Sequence, residues 1–208
     1  MSPYATPITT DGVTLLAAAQ QISMNGASYA CATLQGRAGK EVWCWGDNNR
    51  GGLGTGDSTA RRYPSKMVGV ADPKLIMPFG EYGTTCAIDG SNVRCWGNNN
   101  GQVGSGATST SVLAPTVVTL MGGVNPLPNI IDLAGGYVLN GSRDRICALS
   151  SARTVQCWGY GFEAYPATYS IPNVVALGGV DSHVRVLTSD NVYHIDTTTR
   201  APNCGLLQ

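Results

Sequence analysis

The chain has 208 residues, of which 43% are hydrophobic and 12% are charged, with 13 basic and 13 acidic side chains. This length allows one domain or one array of repeats to bury a core, and the balanced charge argues against a nucleic-acid-binding surface, which needs a basic stripe. The longest apolar run, Val13 to Ala19, is far shorter than the roughly 20 residues of a membrane-spanning helix, so we expect no membrane insertion.

The composition predicts an all-β protein. The chain has 27 glycines, and short runs of Val, Thr, Tyr and Trp lie between glycines and prolines, which is typical of many short strands joined by tight turns. Near the N-terminus, Pro7-Ile8-Thr9 resembles the later segment Pro115-Thr116-Val117-Val118, so residues 1–10 are predicted to be a strand that closes a repeat. The Ala-rich stretch Val13–Ile22 has no clear helix cap, and we interpret it as a strand with its lead-in.

A motif with two cysteines recurs three times along the chain. Each copy has a Cys-Ala strand, a short turn and a strand that ends in Cys-Trp-Gly, and the three triplets begin at residues 44, 95 and 157. A fourth copy has Arg185 and His194 where the two cysteines should be. The repeats span approximately residues 15–70, 75–120, 129–170 and 173–208 of a single array, and such periods are typical of propellers and solenoids.

The first two copies continue into similar glycine-rich turns, Asn48-Asn49-Arg50-Gly51-Gly52-Leu53-Gly54 and Asn98-Asn99-Asn100-Gly101-Gln102-Val103-Gly104. With Cys-Ala-Leu, Val-x-Cys-Trp-Gly and a later Pro-x-x-Val, this order is similar to the repeat of the regulator-of-chromosome-condensation family. It most resembles the cysteine-bearing extracellular bacterial version, over residues from about 15 to 195. The resemblance implies a β-propeller with four-stranded blades around a central channel, and members that mostly bind other proteins.

We therefore expect a β-propeller of about four blades, with three full repeats and a partial fourth. Two arrangements are compatible with the repeats. The N-terminal strand could complete the last blade in a small closed ring, or the chain could be part of a larger ring, since the family commonly has seven blades. An open array would expose apolar blade faces and would be expected to pair with another copy.

Each of the first three copies brings one cysteine from each of two neighbouring strands. A hairpin can place two such residues directly opposite, close enough for a disulfide, and disulfides persist in oxidising compartments. Buried free thiols are the alternative, and a zinc site is less favoured because no Cys-x-x-Cys or His ligand spacing occurs. Cys204 is left over as an unpaired thiol or an intermolecular bridge. The predicted disulfides are Cys31–Cys44, Cys86–Cys95 and Cys147–Cys157.

The glycine-rich turns and tryptophans each allow two interpretations. Asp47, Asn49 and Gly51 resemble the start of a calcium loop, but no acidic residue closes it, so we favour a tight turn and expect no metal. The tryptophans of the three triplets could be platforms for sugars, yet one Trp per blade more simply fills the space between sheets. They are Trp45, Trp96 and Trp158.

Three residues are candidates for a binding surface. Trp43 points to the opposite face from Cys44, and Tyr29 and His183 lie two residues before the first cysteine position, where the family often has a histidine. His183 and His194 could also serve a catalytic site, but no nucleophile or cofactor motif accompanies them. Asn140-Gly141-Ser142 is a glycosylation acceptor by pattern.

The first hypothesis for function is a non-catalytic module without a cofactor, located in the extracellular space, at the cell surface or in the periplasm. Such a module would bind another protein, or adhere, through its blade-edge loops. The alternatives are a self-assembling subunit of a surface layer or filament, whose partner is a further copy of itself, and a glycan-active enzyme with its site at the channel mouth.

Overall fold

A computed structural model describes residues 7–24, 28–80, 83–107, 109–121, 123–136, 145–159, 164–180, 183–190, 192–195 and 204–206. Over these residues the chain forms strands and turns without a helix, which confirms the all-β prediction. No helix in the described part is long and apolar enough to span a membrane.

The described strands form four antiparallel sheets of four strands each. They are β1 (Ala19–Met24), β2 (Tyr29–Gly36), β3 (Gly39–Gly46) and β4 (Arg61–Lys66) in the first sheet; β5 (Pro73–Phe79), β6 (Thr84–Asp89), β7 (Asn92–Asn98) and β8 (Ser111–Val117) in the second; β9 (Ile130–Gly136), β10 (Arg145–Ser150), β11 (Val155–Gly159) and β12 (Ala167–Tyr169) in the third; and β13 (Val174–Val180), β14 (His183–Thr188), β15 (Val192–Ile195) and β16 (Cys204–Leu206) in the fourth.

Each sheet is a propeller blade, numbered 1 to 4 in chain order. Its strands are hydrogen-bonded in sequence order, and the first strands of successive blades contact one another, β1 with β5, β5 with β9 and β9 with β13. This places the first strands around a common axis and confirms the predicted propeller architecture. Among the described strands, no pairing joins blades 1 and 4, so these strands form an open arc and not the small closed ring.

The two ends of the array differ from the expectation. Blade 4 is completed by β16, in which Cys204 lies opposite Ile195. It therefore has four strands and is not the partial blade expected from the sequence. At the other end, Thr9 pairs with Leu15 in a short hairpin before β1. Among the described residues, the fourth strand of blade 4 is β16 and residues 7–10 pair in this local hairpin, so the blade-closing role of residues 1–10 stays a prediction.

The hydrophobic core is divided into three layers, one between each pair of successive blades. Side chains alternate along a strand, so the cysteines of a blade point toward the following blade and its Cys-Trp-Gly tryptophan points toward the preceding one. Cys31 and Cys44 accordingly pack in one layer with Trp96, and the cysteines of blade 2 pack with Trp158. Blade 4 ends this pattern, since Arg185 and His194 pair where the cysteines of the other blades do.

Candidate functional site

The three cysteine pairs are disulfides between directly opposite residues of neighbouring strands. Cys31 pairs with Cys44 in the register of β2 and β3, and the other two blades repeat this arrangement. The Cα atoms are 4.1 Å apart in each pair, and the side chains are almost fully buried. The pairing matches the prediction and is consistent with an oxidising compartment.

The tryptophan after each second cysteine joins its blade to the one before it. The Trp96 indole N–H donates to the carbonyl of Gly52 at 2.9 Å, and the Trp158 indole donates to the carbonyl of Gln102 at 2.8 Å. Both side chains are fully buried. Their acceptors lie in the glycine-rich turn of the preceding blade, so these two tryptophans are junction residues and not sugar-stacking platforms.

The glycine of the triplet allows the backbone of a neighbouring loop to approach closely. Gly97 has a φ of +95°, and a Cβ at this position would collide with the carbonyl oxygen of Gly83. Gly46 has a φ of +111°, and a Cβ there would collide with the carbonyl oxygen of Ser28. Only glycine combines this backbone conformation with such close contact. The Cys-Trp-Gly triplet therefore has one structural role per residue: a disulfide, a blade junction and a loop contact.

The long loop after β3 is held by one buried asparagine. Asn48 Nδ2 donates to the backbone carbonyls of Asp57 at 2.9 Å and Thr59 at 3.1 Å, and Asn48 Oδ1 accepts from the Leu53 amide at 2.9 Å. The side chain is 1% exposed. Asn48, at the start of the loop, is thus hydrogen-bonded to Leu53 in its middle and to Asp57 and Thr59 at its end.

The loop after β7 repeats this device with Asn99. Its Nδ2 donates to the carbonyls of Ala107 at 2.9 Å and Ser109 at 2.8 Å, and its Oδ1 accepts from the Val103 amide at 3.2 Å. We call the surface formed by these two loops, residues 47–60, 99–107 and 109–110, the loop face.

The hydrogen bonds of the first loop support the turn interpretation over a calcium loop. Asp47 Oδ1 accepts from the Asn49 amide at 3.2 Å, which is an Asx-type turn, and the Asn48 side chain is turned inward. Among the residues that the structure describes, no three His, Cys, Asp or Glu side chains gather as metal ligands would.

An ion pair adds a charged anchor at the end of the first loop. Asp57 accepts from the Thr59 amide at 2.8 Å and from the Arg61 guanidinium at 2.6 Å. These bonds, the one from the Thr59 amide foremost, stabilise the ionised form and lower the pKa of the Asp57 carboxyl.

A cleft opens on the loop face where blades 1 and 2 meet. Its volume is about 330 Å³, and the exposed side chains at its rim include Asp47, Asn49 and Arg50. The rim therefore presents an anion, an amide and a cation within one opening. The complete lining is Ser28, Tyr29, Asp47, Asn48, Asn49, Arg50, Gly52 and Gly83.

Tyr29, predicted as a surface contact, is an internal residue. It is 4% exposed, and its hydroxyl donates to the Thr84 carbonyl at 2.9 Å and lies 2.7 Å from the Thr85 hydroxyl. The aromatic ring can be buried because the next blade supplies partners for its polar end. Tyr29 therefore joins blades 1 and 2, and it is a buried part of the cleft lining and not the exposed surface residue expected from the sequence.

Trp43 is half-buried on the face of blade 1 that points away from blade 2, and its indole donates to Glu41 at 3.1 Å. Glu41 in turn pairs with Lys66 at 2.7 Å. The side chains of His183, His194 and Cys204, and the acceptor pattern Asn140-Gly141-Ser142, lie outside what the structure describes.

A family model for the regulator of chromosome condensation (RCC1) repeat matches residues 41–77. The match begins in β3, includes the Cys44-Trp45-Gly46 triplet and the Asn48 loop, and continues into β5. Residues 41–77 are thus similar to an RCC1 repeat.

Two solved structures are similar to this chain in fold. One is human WBSCR16, with a TM-score of 0.68 and 19% identity over 88% of this chain and 48% of that one. The other is Prp20p from Saccharomyces cerevisiae, a protein studied for its binding to Gsp1p and histones, with a TM-score of 0.65 and 18% identity over 90% of this chain and 50% of that one. The chain thus spans about half the length of these structures, and the likeness shows the fold.

Proposed function

We propose that this RCC1-like chain is a non-catalytic protein-binding module that works in an oxidising compartment, outside the cell, at its surface or in the periplasm. The loop face is its contact surface. The observation that carries the proposal is the repeated use of a buried asparagine, Asn48 and Asn99, to hold a long loop on a disulfide-closed hairpin.

Rigid loops favour binding because they reduce the entropy lost on association. Ordering a flexible loop costs roughly 0.5–1.5 kcal/mol for each immobilised side chain. Here the bonds of Asn48 order residues 47–60 before any partner is present. The scaffold beneath is equally constrained, since Cys31–Cys44 closes the strands that precede the loop. This combination of fixed scaffold and presented loops is common among binding proteins.

The chemistry of the cleft favours a polar segment of another protein. Arg50 would donate hydrogen bonds to a carboxylate or a carbonyl of the partner, and Asp47 would accept from an amide or pair with a cation. The cleft between them would enclose a side chain of the partner. Protein partners are also reported for Prp20p, a structural neighbour of the chain. A surface that needs geometric and charge complementarity at once is suited to recognising a folded partner.

The same disulfides support the proposed compartment. Three bonds at one structural position in successive blades indicate a chain that matures where thiols are oxidised. Trp96 and Trp158 are buried at blade junctions, so the glycan-active alternative loses two of its proposed stacking platforms.

The test is saturable binding of the labelled, oxidised chain to the surface of the cells that produce it, measured by flow cytometry. Proteinase treatment of the cells should abolish binding and periodate oxidation of their glycans should not. Arg50→Glu should weaken binding at least about tenfold, equivalent to about 1.4 kcal/mol, because it reverses the charge at the cleft rim.

The matched control is Arg37→Glu, the same reversal at an exposed position in the β2–β3 turn, at the opposite end of the blade. It should leave binding unchanged. Equal losses from both variants would place the contact elsewhere than the loop face. Binding that survives proteinase but not periodate would identify a glycan as the ligand and overturn the proposal.

A further inference from the structure

A small polar pocket lies beside the turn between β10 and β11, at the end of blade 3 opposite the loop face. Its volume is about 170 Å³, several times that of a water molecule. Two side chains of its wall are polar and almost completely buried, since Ser150 is 4% exposed and Gln156 is 7% exposed. We call it the third-blade pocket; its wall includes Pro128, Asn129, Ser150, Thr154 and Gln156.

Blade 2 carries a carboxylate at the corresponding place. Asp89 and Ser150 each lie opposite the first residue of the first strand of their blade, so Ser150 takes the position of Asp89. Gln156 takes the position of Arg94, because each lies opposite the alanine that follows the first cysteine. The repeat therefore shows which group fills this space when the chain supplies it.

Three donors hold the Asp89 carboxylate in blade 2. Its Oδ1 accepts from the Ala71 amide at 2.9 Å and from the Asp72 amide at 2.7 Å. Its Oδ2 accepts from the Arg94 guanidinium at 2.8 Å. Asp89 is 8% exposed, and hydrogen bonds to an ionised carboxylate are stronger than those between neutral groups. This end of blade 2 is thus a cradle for a carboxylate.

Blade 3 keeps part of the backbone of this cradle. Asn129 takes the position of Asp72, since the carbonyl of each accepts from the residue that follows the second strand of its blade. The Asn129 amide has no acceptor among the residues that the structure describes. Pro128 takes the position of Ala71 and has no N–H. One of the two amides of the cradle is therefore retained.

Ser150 and Gln156 add two further donors. The Ser150 oxygen accepts from the Thr154 amide at 3.2 Å, which leaves the hydroxyl hydrogen for another acceptor. Gln156 Nε2 donates one hydrogen to the Thr168 hydroxyl at 3.4 Å and carries a second one. Both side chains are shorter than the Asp and Arg of blade 2, so the space of the carboxylate is left open.

The charge around the pocket favours an anion. Arg153 lies in the same turn, between two residues that line the pocket. Its guanidinium donates to the Val175 carbonyl at 3.1 Å, and no described carboxylate pairs with it. The described lining has no acidic residue. An ionised carboxyl accepts hydrogen bonds without donating any, so it matches a pocket that offers donors beside a cation.

We propose that the third-blade pocket binds a carboxylate, the group that blade 2 supplies from its own chain as Asp89. The Asn129 amide, the Ser150 hydroxyl and the Gln156 side-chain amide donate to its oxygens. The carboxylate comes from an acidic side chain of a partner protein or from a small free anion, and the pocket opens to either beside the exposed residue Ser151. The site is separate from the loop face, and the inference does not rest on the proposed function.

The test is a ¹⁵N NMR titration of the oxidised chain with sodium acetate at neutral pH and constant ionic strength. Acetamide is the matched neutral ligand. Acetate should shift the signals of the Asn129 amide and the Gln156 side-chain amide saturably, and acetamide should not. The methylamide of N-acetylaspartate, which presents its carboxylate as a protein side chain does, identifies the source. Binding at least about tenfold tighter than acetate indicates a partner side chain, and a smaller preference indicates a free anion.

Two variants distinguish this pocket from a general effect of acetate. Gln156→Arg restores the guanidinium of the blade 2 cradle and should tighten acetate binding at least about tenfold. Ser150→Asp fills the pocket with a carboxylate of the chain itself and should abolish the shift at Asn129. The matched control is Gln35→Arg, which adds the same charge at an exposed position of blade 1 and should leave acetate binding unchanged.

Three results would overturn the proposal. The first is the absence of a saturable shift at the Asn129 amide when the unmodified chain is titrated with acetate. The second is an equal shift with acetamide, because the pocket would then select a neutral amide. The third is equal tightening by Gln156→Arg and Gln35→Arg, because the added charge would then act without the cradle.

Discussion

The blade-junction tryptophans lead to a quantitative prediction for stability. Trp96→Phe removes an indole N–H that donates to the Gly52 carbonyl at 2.9 Å and leaves space at a fully buried position. The carbonyl keeps a hydrogen bond from the Thr85 hydroxyl at 2.7 Å, so it is not left unsatisfied. The lost bond is worth about 1 kcal/mol and the cavity about 1–2 kcal/mol, so the free energy of unfolding should fall by about 2–3 kcal/mol. Trp45→Phe has no such bond to lose and should cost about 0.5 kcal/mol or less.

The assay is urea unfolding of both variants, followed by circular dichroism under oxidising conditions. With a slope of about 2–3 kcal/mol per molar urea, the midpoint for Trp96→Phe should shift by about 1 M, and that for Trp45→Phe by about 0.2 M or less. Equal shifts for the two variants would refute the assignment of Trp96 as a junction residue and Trp45 as its unpaired equivalent.

The remaining predictions concern backbone, disulfide and charge. Gly97→Ala should unfold the chain or cost more than about 3 kcal/mol in urea unfolding, because its φ is +95° and the new methyl group meets a carbonyl; Gly90→Ala, with a φ of +60° in open space, should cost about 1–2 kcal/mol, and similar losses would contradict this account. The double variant Cys86→Ser and Cys95→Ser should lose about 2.6 kcal/mol in the same assay, since the disulfide closes a loop with a sequence separation of 9, and an unchanged midpoint would show that the bond is not formed. The folded pKa of Asp57 lies below that of the unfolded chain, so its stabilising contribution is complete above the usual carboxyl range and is lost as the pH falls through the lowered value. Carbon NMR titration should show this lowered pKa, and Arg61→Gln should raise it; a pKa at the ordinary value for aspartate would contradict the loop anchor.

The blades could be predicted because their determinants are local. Each Cys-Trp-Gly strand pairs with the Cys-Ala strand of the same hairpin, so register and disulfide follow from a single turn, for example Cys86 opposite Cys95 across Gly90. Strand alternation then decides which side chains face each neighbouring blade. The predicted burial of the tryptophans between sheets is accordingly confirmed for Trp96 and Trp158.

The contacts between blades could not be predicted from one hairpin. Tyr29 is two residues before a cysteine and resembled a surface position, but its hydroxyl finds partners in blade 2, across 55 residues of sequence. Cys204–Leu206 pairs with the neighbouring strand β15, but no strand pattern in this short segment indicates that it completes blade 4. The sequence predicts that Asn48 and Asn99 lie in turns, and only the folded loops show that each side chain binds three backbone groups.

The most direct test of the proposed function is whether the loop face is rigid before a partner arrives. Amide hydrogen exchange of the free, oxidised chain should show the Leu53 and Val103 amides, which donate to Asn48 and Asn99, protected about as strongly as core strand amides. Asn48→Ala should release Leu53 and leave Val103 protected. Exchange of both amides at the rate of an unfolded peptide in the unmodified chain would contradict a preorganised binding face.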